Sequence, residues 1–420
     1  MVVLVIAAVG VVAAVVLFRA APRVAFFSWA AVLFFVPIWV GFSAGHFYSA
    51  VTLVTLVCVA SASLRDVRLC AADAILALFA VLVGGAFLLG GVTLGHLLIA
   101  MVDWLLPYVF GRVVLARVQI GVVTSFISLM TVVAAGLALL EFATGVNLFV
   151  LIHWNNGGYE LWSPLQSRGG FIRAEGAFGH SIALGACLSI GSVFILSSRW
   201  RLTLRIAAIT LAAGAIVVTF SRIGLVGFIL GIVLSVAFLG KVLSVRTRIV
   251  VAAIASAGAL AVTPFLSEVF TAAGTEAQGS ADYRLNLVSL LSKMVPIGLS
   301  PSYGVLPNGT VYVGDFHSID SALILTGIRL GFVPLLILMA VLVLAVVKMF
   351  GRKANVPLIA VVSQIPTLAT VDMITQFPYL LWFAAGLAVS LYVNNDGRAY
   401  EPARAFSGHF EPLAERTFHD

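Results

Sequence analysis

The sequence predicts an all-α polytopic membrane protein with about 12–13 transmembrane helices in a single domain. Composition is the first reason: of 420 residues, 62% are hydrophobic and only 10% are charged, against roughly 25% charged in a soluble domain. The second is length, because apolar runs of about 17–25 residues, enough to cross a bilayer, recur from end to end. The third is pattern. These runs are rich in Gly, Ala and Val and lack strand alternation, and in lipid a helix satisfies its backbone polar groups within its own segment.

The expected spans are about 2–18, 24–42, 46–62, 72–90, 93–110, 118–140, 178–197, 203–219, 222–240, 249–266, 318–347, 356–371 and 376–393. The opening residues MVVLVIAAVG lack a cationic stretch, and no small-residue cleavage site precedes Arg19, so they read as a retained span rather than a cleaved signal. Residues 1–393 then form one transmembrane domain, interrupted by two long outer loops at about 141–177 and 267–317 and followed by a polar tail over 394–420. Cys58, Cys70 and Cys187 lie in or beside apolar runs, outside both long loops, so no structural disulfide is expected.

Basic residues set the orientation. Arg19 and Arg23, Arg65 and Arg68, Arg112 and Arg117 fall in alternate loops, as do Arg199, Arg201 and Arg205, then Lys241, Arg246 and Arg248, then Lys348, Arg352 and Lys353. With Arg398, Arg404 and Arg416 in the tail, one face holds most of the 24 cationic residues. The positive-inside rule makes that face cytoplasmic, with the N-terminus outside and the C-terminus inside. The net charge of +7 does not imply nucleic acid, because the charges sit singly or in threes between apolar runs rather than along one face.

The opposite face keeps Arg168, Arg173, Arg222, Arg284, Lys293 and, inside a span, Arg329. Topogenesis does not account for these. Four constellations hold most of them. Arg168-Gly-Gly-Phe-Ile-Arg173-Ala-Glu175-Gly-Ala-Phe-Gly-His180 precedes the seventh span. Thr219-Phe-Ser221-Arg222 makes a tight outer corner. Asp282-Tyr-Arg284 opens a segment whose Leu287, Leu290, Leu291 and Met294 predict an amphipathic helix along the membrane surface, ended by Pro296 and Gly298. Asp315-Phe-His317-Ser-Ile-Asp320 precedes a long span.

Arginine suits phosphate at a membrane surface, since its planar fork makes bidentate charge-assisted hydrogen bonds and stays charged when partly desolvated. Arg222 opens a helix, where backbone N–H groups and the positive dipole end add to the anion-attracting field, and Ser221 is placed to cap it. A single outer arginine more often snorkels to lipid headgroups; four instances on the face poor in cations, three beside His, Ser or a carboxylate, favour a site. His317, with Asp315 and Asp320 as partners, has the strongest claim among the histidines; His153 and His180 have weaker ones, His46 and His96 weaker still. Asp103 and Asp372 sit within or at the end of apolar runs, where a carboxylate costs on the order of 2.5–3.5 kcal/mol and needs a partner in the bundle, as a proton relay or as a structural hydrogen bond. The outer loops lack Asp-x-Asp, His/Cys metal spacing, a serine elbow and a Walker lysine, so neither metal, nucleotide, other cofactor nor covalent serine intermediate is expected.

At these residues the chain resembles the O-antigen ligase/polymerase family of bacterial membrane glycosyltransferases. The resemblance rests on Arg173-Ala-Glu-Gly-Ala-Phe-Gly-His180, on Thr219-Phe-Ser-Arg222, on Arg284 ahead of Pro296-Ile-Gly298, and on His317 followed by Leu323-Ile-Leu-Thr-Gly327 and Gly331. It covers roughly 165–335; Ser318 stands where the family often has Asn. It implies a type C glycosyltransferase-like fold, the inner membrane of a bacterium, and a polyprenyl-diphosphate-linked glycan as donor on the external face. The acceptor would be a glycan or, for a ligase, lipid A-core, and the other partners membrane lipids, a chain-length regulator and a flippase. By the same resemblance Arg222 and Arg284 would bind the diphosphate, with Arg173, Arg168 and Ser221 in support. His317 would act on the acceptor hydroxyl, supported by Asp320, Asp315, Glu175 and His180. A transporter of a small anion or a lipid-linked sugar is the competing reading; the sequence shows neither the paired repeats nor the broken helices that would favour it.

Overall fold

The computed structural model describes residues 2–63, 67–240, 242–253, 256, 263–264, 283, 286–306, 311–317 and 319–395. Arg65, Lys241, Asp282, Arg284, Ser318, the tail, and much of both the 249–266 span and the 267–317 loop lie outside them.

The protein is an all-α polytopic membrane protein. Among the described residues, five helices are long and apolar enough to cross a bilayer, at Ala71–Leu88, Leu94–Val114, Ile120–Thr144, Phe332–Gly351 and Phe377–Asn394. The pair Val9–Ala20 and Pro22–Phe35, bent by 120°, supplies a sixth if counted as one span. Shorter apolar helices fill the bundle: α3 (Ala50–Ser61), α9 (Ser181–Ser197), α10 (Leu202–Val218), α11 (Arg222–Phe238) and the pair α14 (Val356–Val362) and α15 (Ile365–Thr370). In the same numbering α1 is Val2–Ala20, α2 Pro22–Phe35, α4 Ala71–Leu88, α5 Leu94–Leu98, α6 Leu106–Val114, α7 Ile120–Thr144, α8 Gly157–Trp162, α12 Ala322–Leu330, α13 Phe332–Lys348 and α16 Phe377–Asn395. Several begin where a short polar side chain accepts a backbone N–H that the first turn leaves unpaired: Ser49, Thr93, Ser221, Ser321 and Asn355 all do so.

At the centre α9 is enclosed almost completely, with Leu184, Leu188, Val193 and Phe194 at or near zero exposure. Helices α6 and α16 approach so closely that only glycine fits between them. A Cβ on Gly111 would collide with the carbonyl of Phe383, and one on Gly386 with that of Tyr108, as small residues permit at membrane helix crossings. Gly386→Ala should therefore cost about 1–3 kcal/mol through overpacking; thermal unfolding in detergent micelles measures it, and an unchanged midpoint would show that the crossing can relax.

The basic loops are stitched to one another at one end of the bundle. The Arg112 guanidinium bonds Asp73 on α4, the Arg68 carbonyl and Ser390 on α16. Arg205 bonds the Leu196 carbonyl and Thr247, and Lys348 and Lys353 both donate to the Tyr392 hydroxyl. At the opposite end the hairpin β1 (Gly41–Ser43) with β2 (Phe47–Ser49) meets the 145–180 segment through Trp39, Trp154 and Asn156.

Three expected elements differ. The single span at 318–347 is two helices, α12 and α13, divided at Gly331. There φ is +103°, and a Cβ would lie 2.6 Å from the Cα of Ile297. The irregular segment 295–300 crosses at this break and pairs its open groups: Phe332 and Val333 N–H donate to the Val295 and Pro296 carbonyls, and Gly298 and Ser300 N–H to those of Leu330 and Ile328. The span at 356–371 is likewise broken, at Ser363–Gln364, with the first half buried and the second partly so. Third, the amphipathic helix expected on the membrane surface is a 3-10 turn, Leu287–Lys293. Three residues per turn place Leu287 and Leu290 on one face, which packs in the protein against Leu325 and Ile328 while Leu291 points outward. A seven-residue π-helical stretch, Ile99–Leu105, also interrupts the helix that starts at Leu94. Broken helices, absent from the sequence reading, are thus a feature of the fold.

Candidate functional site

The end opposite the basic loops carries a cleft of about 340 Å³ whose wall includes Trp162, Arg173, His180, Asp320, Arg329 and Asp372. Two stretches far apart in sequence meet there, one running into α9 and the other made of α12 and the turn before α16.

The first wall is shaped by a carboxylate. Glu141, in the last turn of α7, accepts the N–H groups of Glu175 and Gly176 and the Asn147 side-chain amide, at 3.1, 2.9 and 3.0 Å. That clamp fixes the segment leading to His180. Before it, the two-residue turn Gly169-Gly170, both at positive φ, joins β3 (Ser167–Arg168) to β4 (Phe171–Ile172), the conformation such hairpins favour. The hairpin aims its arginines at the α10–α11 corner. Arg168 donates through Nη1 to the Phe220 carbonyl, and Arg173 through Nε to that of Thr219. These carbonyls lie at the end of α10, where unpaired acceptors and the negative dipole end attract cations. Phe220 has φ of +48°, uncommon for a residue with a side chain, and is held by full burial against Phe142 and Phe171. Arg168 and Arg173 therefore tie the corner together, and Arg173 also faces the cleft.

His180 caps α9, its Nδ1 accepting the Ile182 N–H. That bond occupies the Nδ1 lone pair and leaves Nε2 as the donor. Burial, with the Arg173 charge adding to it, brings its pKa down to about 4. The ring at neutral pH is thus a neutral hydrogen-bond donor rather than a base. Glu175, fully buried, is pushed up to about 7 by burial, with the nearby Glu141 charge adding to the rise.

On the second wall Arg329 faces Asp372 at 3.8 Å, a loose pairing. Burial raises the Asp372 carboxyl above the ordinary carboxylate range against the pull of Arg329. The half-buried Asp320 completes the charged lining. Two guanidinium groups and two carboxylates thus share one opening, which suits a ligand bearing both an anion and hydroxyl groups.

Of the residues singled out in sequence, the cleft gathers Arg173, His180, Asp320, Arg329 and Asp372. Arg222 is exposed at the first turn of α11, next to its cap Ser221, which is buried and accepts the Gly224 N–H. His317 is exposed on the short strand β7 (Phe316–His317), which pairs with β6 (Val311–Val313), itself beside β5 (Tyr303–Val305); Asp315 is exposed in the preceding turn. Both Arg222 and His317 lie outside the cleft lining. Arg284 is outside the described residues, so its distance from Arg173 is not defined. Glu141 and Trp162 were missed in sequence. An acid in the last turn of an apolar helix was the signal for Glu141; nothing marked Trp162. Asp103 has the partners expected of an intramembrane carboxylate, accepting from the Tyr379 hydroxyl at 2.5 Å with His46 Nε2 at 3.3 Å.

Comparison of the chain with protein-family models, curated proteins and solved structures finds no match in any of the three.

Proposed function

We propose that this protein is a membrane glycosyltransferase of the O-antigen ligase/polymerase kind, moving a glycan from a polyprenyl-diphosphate carrier to a sugar hydroxyl. The observation that supports this reading is the cleft where Arg173 and Arg329 meet Asp320 and Asp372 at the end opposite the basic loops. On the positive-inside rule that end faces away from the cytoplasm, where lipid-linked glycans are assembled in the family that the chain resembles. The guanidinium groups offset charge building on the departing diphosphate, work that metal ions do in other transferases. Asp320 takes the acceptor proton, His180 donates through Nε2, and Trp162 gives a sugar ring an apolar face. Arg222, Arg284 and His317 belong to the same proposal through the resemblance alone, with Arg222 and Arg284 on the diphosphate and His317 serving the acceptor.

The test is transfer by the purified protein from undecaprenyl-diphosphate oligosaccharide, with and without a lipid A-type acceptor and with chelator. Longer lipid-linked chains mark a polymerase and glycan on lipid A a ligase; no transfer refutes the proposal. Arg329→Ala and Arg173→Ala should each lower transfer by about 10²–10³-fold, the loss typical of removing one charge-stabilising donor. Arg222→Ala and Arg284→Ala should abolish product while the protein stays in the membrane; wild-type glycan length and yield in both would remove them from the phosphate site.

The discontinuous helices at 99–105, 331 and 363–364 favour one other reading, an anion or lipid-linked-sugar transporter in which the Asp103, His46 and Tyr379 network serves coupling. Proteoliposomes that move the lipid-linked sugar across the bilayer without forming a new glycosidic bond would select it.

A further inference from the structure

We propose that the basic end of the bundle holds one anionic phospholipid, its headgroup on Lys348 and Lys353 and an acyl chain in a cavity beneath them. This inference is independent of the function proposed above.

The cavity measures about 270 Å³ and lies between α13, α14 and α16, with α4 at its side. Leu338, Val341, Leu342 and Ala345 of α13 form one wall, and Leu358, Leu381 and Ala385 face them. α13 buries only Pro334, Leu335 and Leu338 and turns Leu336, Val343 and Val347 outward. The space beside it is thus open to the surroundings of a membrane helix. Apolar space of this kind stays dry, and in a bilayer hydrocarbon chains are what can fill it.

Which way the lipid points follows from charge. Lys348 is the charged residue of the lining, and it sits with Asn355 and Tyr392 at the basic end. None of the charged cleft residues Arg173, Asp320, Arg329 or Asp372 contributes to it; Leu323, Thr326 and Met373 close that side. Lys348 and Lys353 converge on one phenol, with Nζ atoms 2.9 and 3.4 Å from the Tyr392 oxygen and each 4.8 Å from its ring centre. Two ammonium groups held beside one neutral hydroxyl concentrate positive charge at the cavity mouth, where a phosphate diester would complement it. Depth agrees. The wall from Leu338 to Lys348 is about 15 Å of helix, half of the roughly 30 Å hydrocarbon core, which is the reach of a chain from the leaflet at the basic face.

The experiment is native mass spectrometry of the full-length, delipidated protein titrated with dioleoylphosphatidylglycerol or dioleoylphosphatidylcholine. The wild type should bind one phosphatidylglycerol in preference to phosphatidylcholine by about 25-fold, since each of the two lysines near the lipid surface contributes about fivefold. Lys348→Gln with Lys353→Gln should bring the two lipids to near parity with the fold intact, because both side chains lie at the rim. Ala345→Phe, which fills the cavity, should lose the tight site for both lipids; Leu342→Trp provides a second filling variant should the first fail to fold. Equal binding of the two lipids by the wild type overturns the proposal. So does a preference that survives the double lysine variant, which places the headgroup elsewhere, or tight binding that survives the filled cavity.

Discussion

Arg112→Ala is expected to destabilise the protein by about 3–5 kcal/mol, the cost of leaving one member of a buried ion pair without its partner. Asp73 begins α4, where its Oδ2 accepts the Cys70 N–H. Its two oxygens then take Arg112 Nε at 2.8 Å, Arg112 Nη2 at 2.9 Å and the Tyr108 hydroxyl at 2.6 Å. The arginine also bonds the Arg68 carbonyl and Ser390, so one side chain joins α4, α6 and α16 with the loop ahead of α4. Removing it strands a carboxylate and a carbonyl in surroundings that offer little water. Denaturant unfolding in micelles, followed by tryptophan fluorescence, measures the loss. The double variant Asp73→Leu with Arg112→Leu should lose less than Arg112→Ala, because neither charge is left unpaired. If Arg112→Ala lies within about 1 kcal/mol of wild type, the bridge behaves as a solvated surface pair and this account of the basic end fails.

The second large effect is a pair of opposing pH dependences in the first wall of the cleft. Glu175 rises from an ordinary 4.5 to about 7 on burial, and His180 falls from 6.5 to about 4 for the same reason, with Arg173 adding to it. Between pH 4.5 and 7 the folded protein keeps a Glu175 proton that the unfolded chain has released, so this term lowers stability as pH rises. Between pH 4 and 6.5 the unfolded chain holds a His180 proton that the folded protein lacks, so that term raises stability with pH. The slopes cancel where the windows overlap, and the joint contribution of these two groups should be nearly flat from pH 4.5 to 6.5. Each variant uncovers the other limb. Glu175→Gln should gain on the order of 3 kcal/mol as pH rises from 4 to 6.5. His180→Asn keeps a helix-capping acceptor and should lose a similar amount from pH 4.5 to 7. Two flat profiles would mean that neither group is desolvated as the fold implies.

Much of the architecture was legible because lipid simplifies the code. Helix positions at 71–88, 120–144, 202–218 and 377–395 lie within a few residues of the apolar runs, since backbone groups in hydrocarbon have no choice but to pair locally. The arrangement of basic loops was legible too, and the structure gathers Arg68, Arg112, Lys348 and Lys353 at one end through bonds to α16 and to the loop ahead of α4. Breaks were not. Gly331 reads as one more small residue in an apolar run until segment 295–300 arrives to pair with the open turn, and that pairing is a contact over some thirty residues. The 3-10 turn at 287–293 escaped for a related reason: its leucines fit a 3.6-residue face equally well, and only packing on α12 chose between them.

For the site, the residue types were legible and their company was not. Arg168 and Arg173 were read as free to meet an anion, yet both are engaged by the corner at 219–220, because carbonyls at a helix end compete for the same donors. Asp320 precedes α12, Arg329 sits in its last turn and Asp372 lies before α16, and they share a cleft with Arg173 through tertiary folding alone. By itself the sequence determined that this chain lives in a bilayer, where its helices run and which face is basic, since solvent and local hydrogen bonding decide those. Which charges meet one another was settled by the tertiary structure, because Arg112 pairs with Asp73 and Arg329 with Asp372 across separate stretches of the chain, and such pairing depends on how helices pack.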